Sequence, residues 1–202
     1  LKHVIEMHPA RSQAILKAKM LGLSVYDYLN LHLKAIAEDL NSPSVSYLSR
    51  HLFFYGDLRG NRSPIADPEM AGSIIGLTSS KTLDGLAVLY HATMEFIAMQ
   101  MLQIIETMND AGYSITSIFI SGSQCQNKIL MRLMATISGM PVIVPKYAQA
   151  AVVHGAAMLG AKAASTNSDG ESEGLWSIMH RMSKPGTVTI PGNDEGENKL
   201  LE

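Results

Sequence analysis

The chain has 202 residues, 47% of them hydrophobic and 17% charged, which suffices for one large domain with a buried core. Its formal net charge of −2 gives no reason to expect nucleic acid or an anionic membrane as a partner, and no apolar run approaches the length of a membrane span. The single cysteine excludes an intramolecular disulfide, and no Cys/His cluster indicates zinc. We therefore expect a soluble protein of a reducing compartment, the cytoplasm.

The first forty residues predict three helices. Residues 1–7 carry apolar side chains at helical spacing, and residues 12–21 form a second helix that ends at Gly22. Ser24 is the predicted N-cap of the third helix. Its apolar face comprises Leu29, Leu33, Ile36, Ala37 and Leu40. Because the first helix begins at residue 1, which is not Met, we expect the chain to be a piece of a larger protein.

Residues 47–54 show a β pattern and lead into a loop at residues 56–68, which holds two arginines, two aspartates and two prolines. Arg62 can present its guanidinium to a ligand, with Asn61 beside it. The alternative is an internal Arg62–Asp67 pair that holds the loop in shape. Both alternatives stay open, and the internal pair is the interpretation that we favour slightly. Residues 72–77 predict a short strand or loop.

Residues 82–110 predict the longest helix. Thr82 is its expected N-cap, and Gly112 lies just beyond its end, where a left-handed residue is favoured. Apolar residues recur at steps of three and four along one stripe, from Leu83 to Met108. We expect Glu95 and Glu106 to face solvent.

The stretch from residue 117 to residue 164 reads strand, turn, helix, strand, helix, which is typical of an α/β layer. The turn at residues 121–127 contains Gly122, and a glycine there lets a ligand approach the backbone and the helix N-terminus. On the residues alone, Ser121 or Ser123 acting as a helix cap is the favoured interpretation.

Residues 165–173 predict a linker. Residues 174–190 predict a helix and a strand that dock on the domain, and we expect Trp176 to take part in the docking of the helix. Residues 191–202 predict a disordered tail.

Four segments, in order and with matching gaps, resemble the C-terminal domain of the FGGY carbohydrate kinases. Residues 60–68, Gly-Asn-Arg-Ser-Pro-Ile-Ala-Asp-Pro, followed by Gly-Leu at 76–77, resemble a loop of that family. Residues 119–127 resemble its adenosine-binding turn, and residues 155–161 its closing Gly-Ala-Ala helix. Residues 182–188 are similar to the tail of the subgroup that acts on D-ribulose and related pentuloses. The resemblance covers residues 1 to about 190.

The resemblance implies an α/β fold of the ribonuclease-H-like, actin/hexokinase-like ATPase class. Residues 1–164 would be part of the nucleotide-side domain, truncated at its N-terminus. Gly122 and Ser123 would lie against the nucleotide, and Asn127 near the adenine. Ser123 stands where the family usually has a second glycine. Gly155 is interpreted as a packing residue.

The resemblance also implies a function. The expected activity is transfer of the ATP γ-phosphate to a hydroxyl of a pentulose such as D-ribulose, or of a related pentitol. ATP and Mg²⁺ are the expected cofactors. The catalytic Asp and the phosphate loops belong to the missing N-terminal kinase domain, so no catalytic residue and no metal ligand is assigned here, and the chain alone is expected to be inactive. A homodimer is compatible with the family. The alternative is a non-catalytic nucleotide-binding relative with a regulatory or assembly role.

Overall fold

The computed structural model describes residues 1–201. The helices are α1 (Lys2–Met7), α2 (Arg11–Met20), α3 (Val25–Asp39), α4 (Leu83–Asp110), α5 (Lys128–Ser138), α6 (Ala151–Ala164), α7 (Leu175–Met182) and α8 (Glu195–Leu201). The strands are β1 (Phe53–Tyr55), β2 (Ser73–Ile75), β3 (Ile118–Phe119), β4 (Val142–Val144) and β5 (Thr187–Thr189). Three short 3₁₀ turns lie at Val45–Ser49, Ser123–Gln126 and Ala148–Ala150.

Helix α4 is the element against which α1, α2, α3, α5 and β1 all pack. The side chains that it buries completely are Leu86, Ala87, Tyr90, His91, Met94 and Ala98. By length and composition alone this helix could cross a membrane, so the expectation that no apolar run approaches a membrane span was wrong. Its apolar character is accounted for by the core, because it contributes to two clusters of buried side chains on different sides.

The second of those clusters explains why the predicted stripe was too narrow. Leu89 and Ala92 are buried with Val4 and Phe54 on a side of α4 that lies away from the main core. The cover comes from α1 and from the β1–β2 hairpin, in which Phe54 stands opposite Ile74. A single-face pattern in the sequence cannot show that a second layer covers the helix.

The three-stranded sheet has the order β3-β4-β5. Strand β3 is parallel to β4, with Ile118 opposite Val142, and α5 connects the two. Strand β5 is antiparallel to β4, with Thr189 opposite Val142. This arrangement confirms the predicted strand–turn–helix–strand order, and it places residues 121–127 at the carboxyl end of β3.

The predicted helix boundaries follow from local capping. The Ser24 hydroxyl accepts a hydrogen bond from the Asp27 amide at 3.1 Å, and the Thr82 hydroxyl accepts one from the Gly85 amide at 3.2 Å. Gly112 has φ +96°, as expected beyond a helix end.

The strand predicted for residues 47–54 was largely wrong. Residues 45–49 form a 3₁₀ turn in which the Ser49 hydroxyl donates to the Ser46 carbonyl at 3.1 Å.

Two expectations about the C-terminal helices were also wrong. A Cβ placed on Gly155 would meet nothing within 4 Å, so this glycine does not mark close packing of α6. Helix α6 instead contacts α7, where His154 Nε2 lies 3.1 Å from the Met182 carbonyl oxygen. Trp176 is 82% exposed, and α7 buries Ile178 in its place.

The tail predicted to be disordered contains helix α8. Its residue Glu197 is buried because both carboxylate oxygens have partners. The Ser46 hydroxyl donates to Oε1 at 3.0 Å, and the Arg132 guanidinium donates to Oε2 at 2.9 Å. A buried carboxylate is stable when it is paired in this way. The partners lie 151 and 65 residues away, so no local pattern predicts them.

Glu95 does not face solvent as predicted. Its side chain is 13% exposed, and Oε1 lies 3.4 Å from Nδ1 of the fully buried His91. Burial raises the pKa of Glu95 to about 7, against a smaller opposite effect of a hydrogen bond with Ser49. Burial lowers the pKa of His91 to about 4, so at neutral pH the contact joins a neutral imidazole to a carboxyl group. Glu106 is exposed as predicted.

The raised pKa of Glu95 predicts a pH-dependent effect of Glu95→Gln. Between the ordinary glutamate pKa and about 7, the folded carboxyl keeps a proton that the unfolded chain loses, so the wild type loses stability as the pH rises through this window. The amide of the Glu95→Gln variant does not titrate, so the variant does not lose stability for this reason. The free energy of unfolding of the variant minus that of the wild type should therefore increase by on the order of 3 kcal/mol between about pH 4.5 and pH 7.

Denaturant unfolding at a series of pH values measures this gap. Glu106→Gln, at an exposed position of the same helix, is the matched control and should show no comparable change. A gap between Glu95→Gln and wild type that stays constant from pH 4 to 8 would contradict the effect of burial on Glu95.

Candidate functional site

The turn at residues 121–127 is built around Gly122. Its φ of +95° with ψ of −178° is a conformation that glycine adopts at low cost and other residues rarely reach. The Gly122 amide donates to the Ala148 carbonyl at 3.1 Å, and the Gly122 carbonyl accepts from the Cys125 thiol at 2.8 Å. The backbone N–H is thus occupied within the protein. A Cβ at this position would meet nothing within 4 Å, so the open space beside Gly122 admits a close-lying ligand.

Asn127 holds the end of the turn. It is the N-cap of α5, and its Oδ1 accepts from the amides of Ile129 at 3.2 Å and Leu130 at 3.3 Å. The serines that were considered as caps do not fill this role. Asparagine is a strong N-cap because its side-chain oxygen satisfies amides that have no partner within the helix.

The same side chain belongs to a ring of three polar groups from α3, α4 and the turn. Asn30 Nδ2 donates to Asn127 Oδ1 at 3.1 Å, Asn127 Nδ2 donates to Tyr90 Oη at 2.6 Å, and Tyr90 Oη donates to Asn30 Oδ1 at 3.3 Å. Each group therefore both donates and accepts, and such chains reinforce one another in a buried setting. Burial raises the pKa of Tyr90, so its hydroxyl remains protonated and able to donate.

A cavity of about 360 Å³ opens beside this ring, and we call it the turn cavity. It lies between the start of α1, the first half of α3 and the turn. Its lining residues are Leu1, Lys2, Ser24, Tyr26, Asp27, Asn30, Ser123, Gln124, Gln126 and Asn127. The volume is within the range of small-molecule sites, and an aromatic ring with several uncharged amides and hydroxyls suits a heterocyclic base and its sugar.

The side chains of this cavity differ in how they are used. Ser123 is exposed and makes no side-chain hydrogen bond within residues 1–201, so it is available to a ligand. The hydrogen-bonding atoms of Asn127 are occupied by Asn30, by Tyr90 and by the start of α5. Asn127→Ala would therefore disturb folding as well as any contact with a ligand.

The loop at residues 56–68 is held by Asn61 rather than by Arg62. Buried Asn61 donates through Nδ2 to Asp57 Oδ2 at 2.8 Å, and its backbone amide donates to the Asp67 carbonyl at 2.8 Å. Gln100 on α4 donates to Asp57 Oδ1 at 3.1 Å and ties the loop to the helix.

The internal pair favoured for Arg62 was wrong. Within residues 1–201 no carboxylate lies within 4.0 Å of the Arg62 guanidinium, which is exposed. The Asp67 carboxylate instead accepts from the Glu69 amide at 2.9 Å. The short Asn61 side chain forms the hydrogen bond within the loop, whereas the longer Arg62 side chain is exposed.

The structure does not bring the loop and the turn together at one site. The turn contacts Tyr90 and Met94 of α4, whereas the loop contacts Gln100. Gln100 lies about 9 Å farther along the helix axis than Met94. Within the described residues no group of three His, Cys, Asp or Glu side chains could hold a metal ion. We therefore assign no Mg²⁺ ligand to residues 1–201.

Sequence reasoning missed two members of the site. Neither Asn30 nor Tyr90 was predicted as part of the site. A signal was available for Tyr90, whose hydroxyl lies on the buried face of α4, and Asn30 is a partly buried polar residue beside the buried Leu29 of α3. Buried polar groups in such positions require partners, and here they are partners of each other.

The family model described as the C-terminal domain of the FGGY family of carbohydrate kinases matches residues 1–164. A D-ribulokinase of Saccharomyces cerevisiae is 48% identical over 163 residues, which cover 81% of this chain and 23% of that protein. The FGGY carbohydrate kinase domain-containing protein of Homo sapiens is 37% identical over 191 residues, which cover 95% of this chain and 33% of that protein. The chain thus spans about a quarter to a third of the length of these relatives.

Solved structures agree on the fold. The ligand-bound xylulose kinase from Lactobacillus acidophilus matches 94% of this chain and 36% of its own, with a TM-score of 0.62 at 21% identity. The Plasmodium falciparum glycerol kinase with ADP matches 85% of this chain and 34% of its own, with a TM-score of 0.59 at 18% identity. The fold is the ribonuclease-H-like, actin/hexokinase-like ATPase architecture of sugar kinases. The chain belongs to the FGGY family of carbohydrate kinases, within that family's C-terminal domain.

Proposed function

We propose that this chain is the nucleotide-binding part of an ATP-dependent carbohydrate kinase that phosphorylates a pentulose such as D-ribulose, or a related pentitol. The observation that carries the proposal is the turn cavity, which Ser123, Gln124, Gln126 and Asn127 of the turn line, in a chain of this family. The 48% identity to a D-ribulokinase supports the choice of a pentulose.

The turn cavity would hold the adenosine end of ATP. Ser123 and Gln124 offer polar atoms at the rim, and Tyr26 offers an aromatic face. Gly122, which was also predicted to lie against the nucleotide, precedes these residues and does not line the cavity. Asn127 acts as a positioning residue, because it fixes the turn against α3 and α4 while its own polar atoms are occupied.

Phosphoryl transfer itself requires groups outside this chain. Such reactions depend on positioning and on charge stabilisation around the γ-phosphate, where Mg²⁺ neutralises developing negative charge. No carboxylate of residues 1–201 is proposed as the base that accepts the sugar proton. The chain's contribution is to bind and orient the adenosine end, which sets where the γ-phosphate can lie.

The activity is tested on the whole natural protein that contains this chain. We expect ADP release, measured with a panel of pentuloses, pentitols, glycerol and hexoses, to be fastest with D-ribulose or a closely related pentulose or pentitol. ATP binding without turnover on any of these acceptors would contradict the kinase proposal and would support a non-catalytic nucleotide-binding relative. Fastest turnover with glycerol or a hexose would overturn the pentulose assignment alone.

The nucleotide site is tested with Ser123→Phe. A benzyl group at this rim position would occupy the turn cavity, so the Kd for ATP should rise about tenfold or more. Ser121→Phe is the matched control, because Ser121 is exposed in the same turn but does not line the cavity. Calorimetric titration with ATP measures both, and melting temperatures close to wild type establish that the variants are folded. Equal ATP affinity in the two variants would place the adenosine elsewhere.

A further inference from the structure

A second cavity, of about 770 Å³, lies between α3 and the start of α5, and we call it the α3–α5 cavity. It is bounded by the second half of α3, by residues 41–46, by the first turns of α5 and by Glu197 of α8. It shares no lining residue with the turn cavity. The family resemblance and the proposed kinase function give it no role.

Two polar atoms of this cavity's lining residues are buried without a hydrogen-bond partner among residues 1–201. They are Nε2 of His91 and the hydroxyl oxygen of Ser44. His91 is completely buried, and it lines the cavity from α4. Buried polar atoms in native proteins nearly always have partners, so two unpaired atoms in one cavity wall indicate a ligand that supplies them.

The hydrogen bonds of His91 determine what its free nitrogen can do. Nδ1 lies 2.9 Å from the Ser49 hydroxyl oxygen, so this nitrogen has a partner within the protein in either tautomer. Burial lowers the pKa of His91 to about 4 and keeps the ring neutral, so Nε2 accepts or donates one hydrogen bond according to the tautomer. A ligand hydroxyl suits Nε2 in both cases, because it can donate or accept.

The charges around the cavity favour an anion. Its lining includes the cations Lys34, Lys128 and Arg132 and the carboxylates Glu38 and Glu197. The carboxylate oxygens of Glu197 are already bonded by Arg132 and by a serine hydroxyl. Neither lysine lies within 4.0 Å of a carboxylate oxygen in residues 1–201. Glu38 is likewise unpaired in residues 1–201, so two unpaired lysines and one unpaired carboxylate border the space that His91 lines, which leaves an excess of one positive charge.

We propose that the α3–α5 cavity is a second binding site, separate from the turn cavity, for a small organic anion that also carries a hydroxyl group. The anionic group would contact Lys34 and Lys128, and a ligand hydroxyl would form a hydrogen bond with His91 Nε2. Ser44 can donate to or accept from the same molecule. A phosphate ester and a hydroxycarboxylate both have this chemistry, and the volume accommodates either.

Calorimetric titration of the whole natural protein, without ATP, tests the site. The probes are D-glucose 6-phosphate and D-gluconate, with inorganic phosphate and D-glucose as partial probes that carry only the charge or only the hydroxyls. One of the two organic anions should bind more tightly than either partial probe, and which of them binds identifies the anionic group. This result does not depend on the kinase activity or on ATP binding.

Variants locate the binding. Lys34→Gln and Ser44→Ala should each weaken the Kd of the bound probe about tenfold, the effect expected from losing one strong polar contact. Lys34 is exposed and the Ser44 hydroxyl has no partner, so neither change should lower the melting temperature. Lys19→Gln, at an exposed position outside the cavity, is the matched control and should bind as wild type does.

Three results would overturn the proposal. The first is that neither organic anion binds at millimolar concentration. The second is that both variants bind the probe as tightly as the Lys19→Gln control, which would place the binding elsewhere. The third is that inorganic phosphate binds as tightly as the organic anions and Ser44→Ala has no effect, which would indicate a site for charge alone.

Discussion

The side chain of Asn127 is the point on which the arrangement of this domain depends. Its oxygen caps α5 and accepts from Asn30 of α3, and its nitrogen donates to Tyr90 of α4. One amide thus fixes three helices relative to the end of β3. Because the ring with Asn30 and Tyr90 is partly buried and each member both donates and accepts, the loss of any member would leave polar atoms of the others unpaired. The turn that follows β3 therefore has one well-defined position.

That constraint explains how a short turn can form part of a ligand site. Ser123, Gln124 and Gln126 line the turn cavity, and Asn127 prevents the turn from moving away from it. Rigid support of this kind lowers the cost of ordering a site when the ligand binds. The α3–α5 cavity begins one residue farther along, at Lys128, and His91 follows Tyr90 directly in α4. The two cavities are thus connected through the same three helices.

The features that were predictable from sequence depend on local patterns. Ser24 and Thr82 cap their helices by accepting hydrogen bonds from amides three residues away. The hydrophobic periodicity predicts β3, α5 and β4, and Gly122 marks the turn between β3 and α5. The family resemblance then identified the turn. The features that were missed depend on distant partners. Glu95 was assigned to solvent because its buried contact with Ser49 crosses more than forty residues of sequence, and α8 was missed because Glu197 pairs with Ser46 and Arg132.

Arg62 shows a different limit of sequence reasoning. A loop with two arginines and two aspartates favours an ion pair, yet the neighbouring Asn61 provides the internal bonds, and Arg62 remains exposed. Charge patterns do not distinguish which of two adjacent polar residues turns inward. Here the Asn61 side chain bonds to Asp57, which Gln100 of α4 also contacts, so the inward position belongs to Asn61.

The central claim is that ATP lies in the turn cavity, against the turn that Asn127 fixes. Hydrogen–deuterium exchange of the whole natural protein, compared with and without saturating ATP, tests this most directly. The account predicts slower exchange in peptides that cover residues 121–130 and residues 24–30, with the loop at residues 56–68 unchanged. Slowing elsewhere, with unchanged exchange in both of those segments, would contradict it.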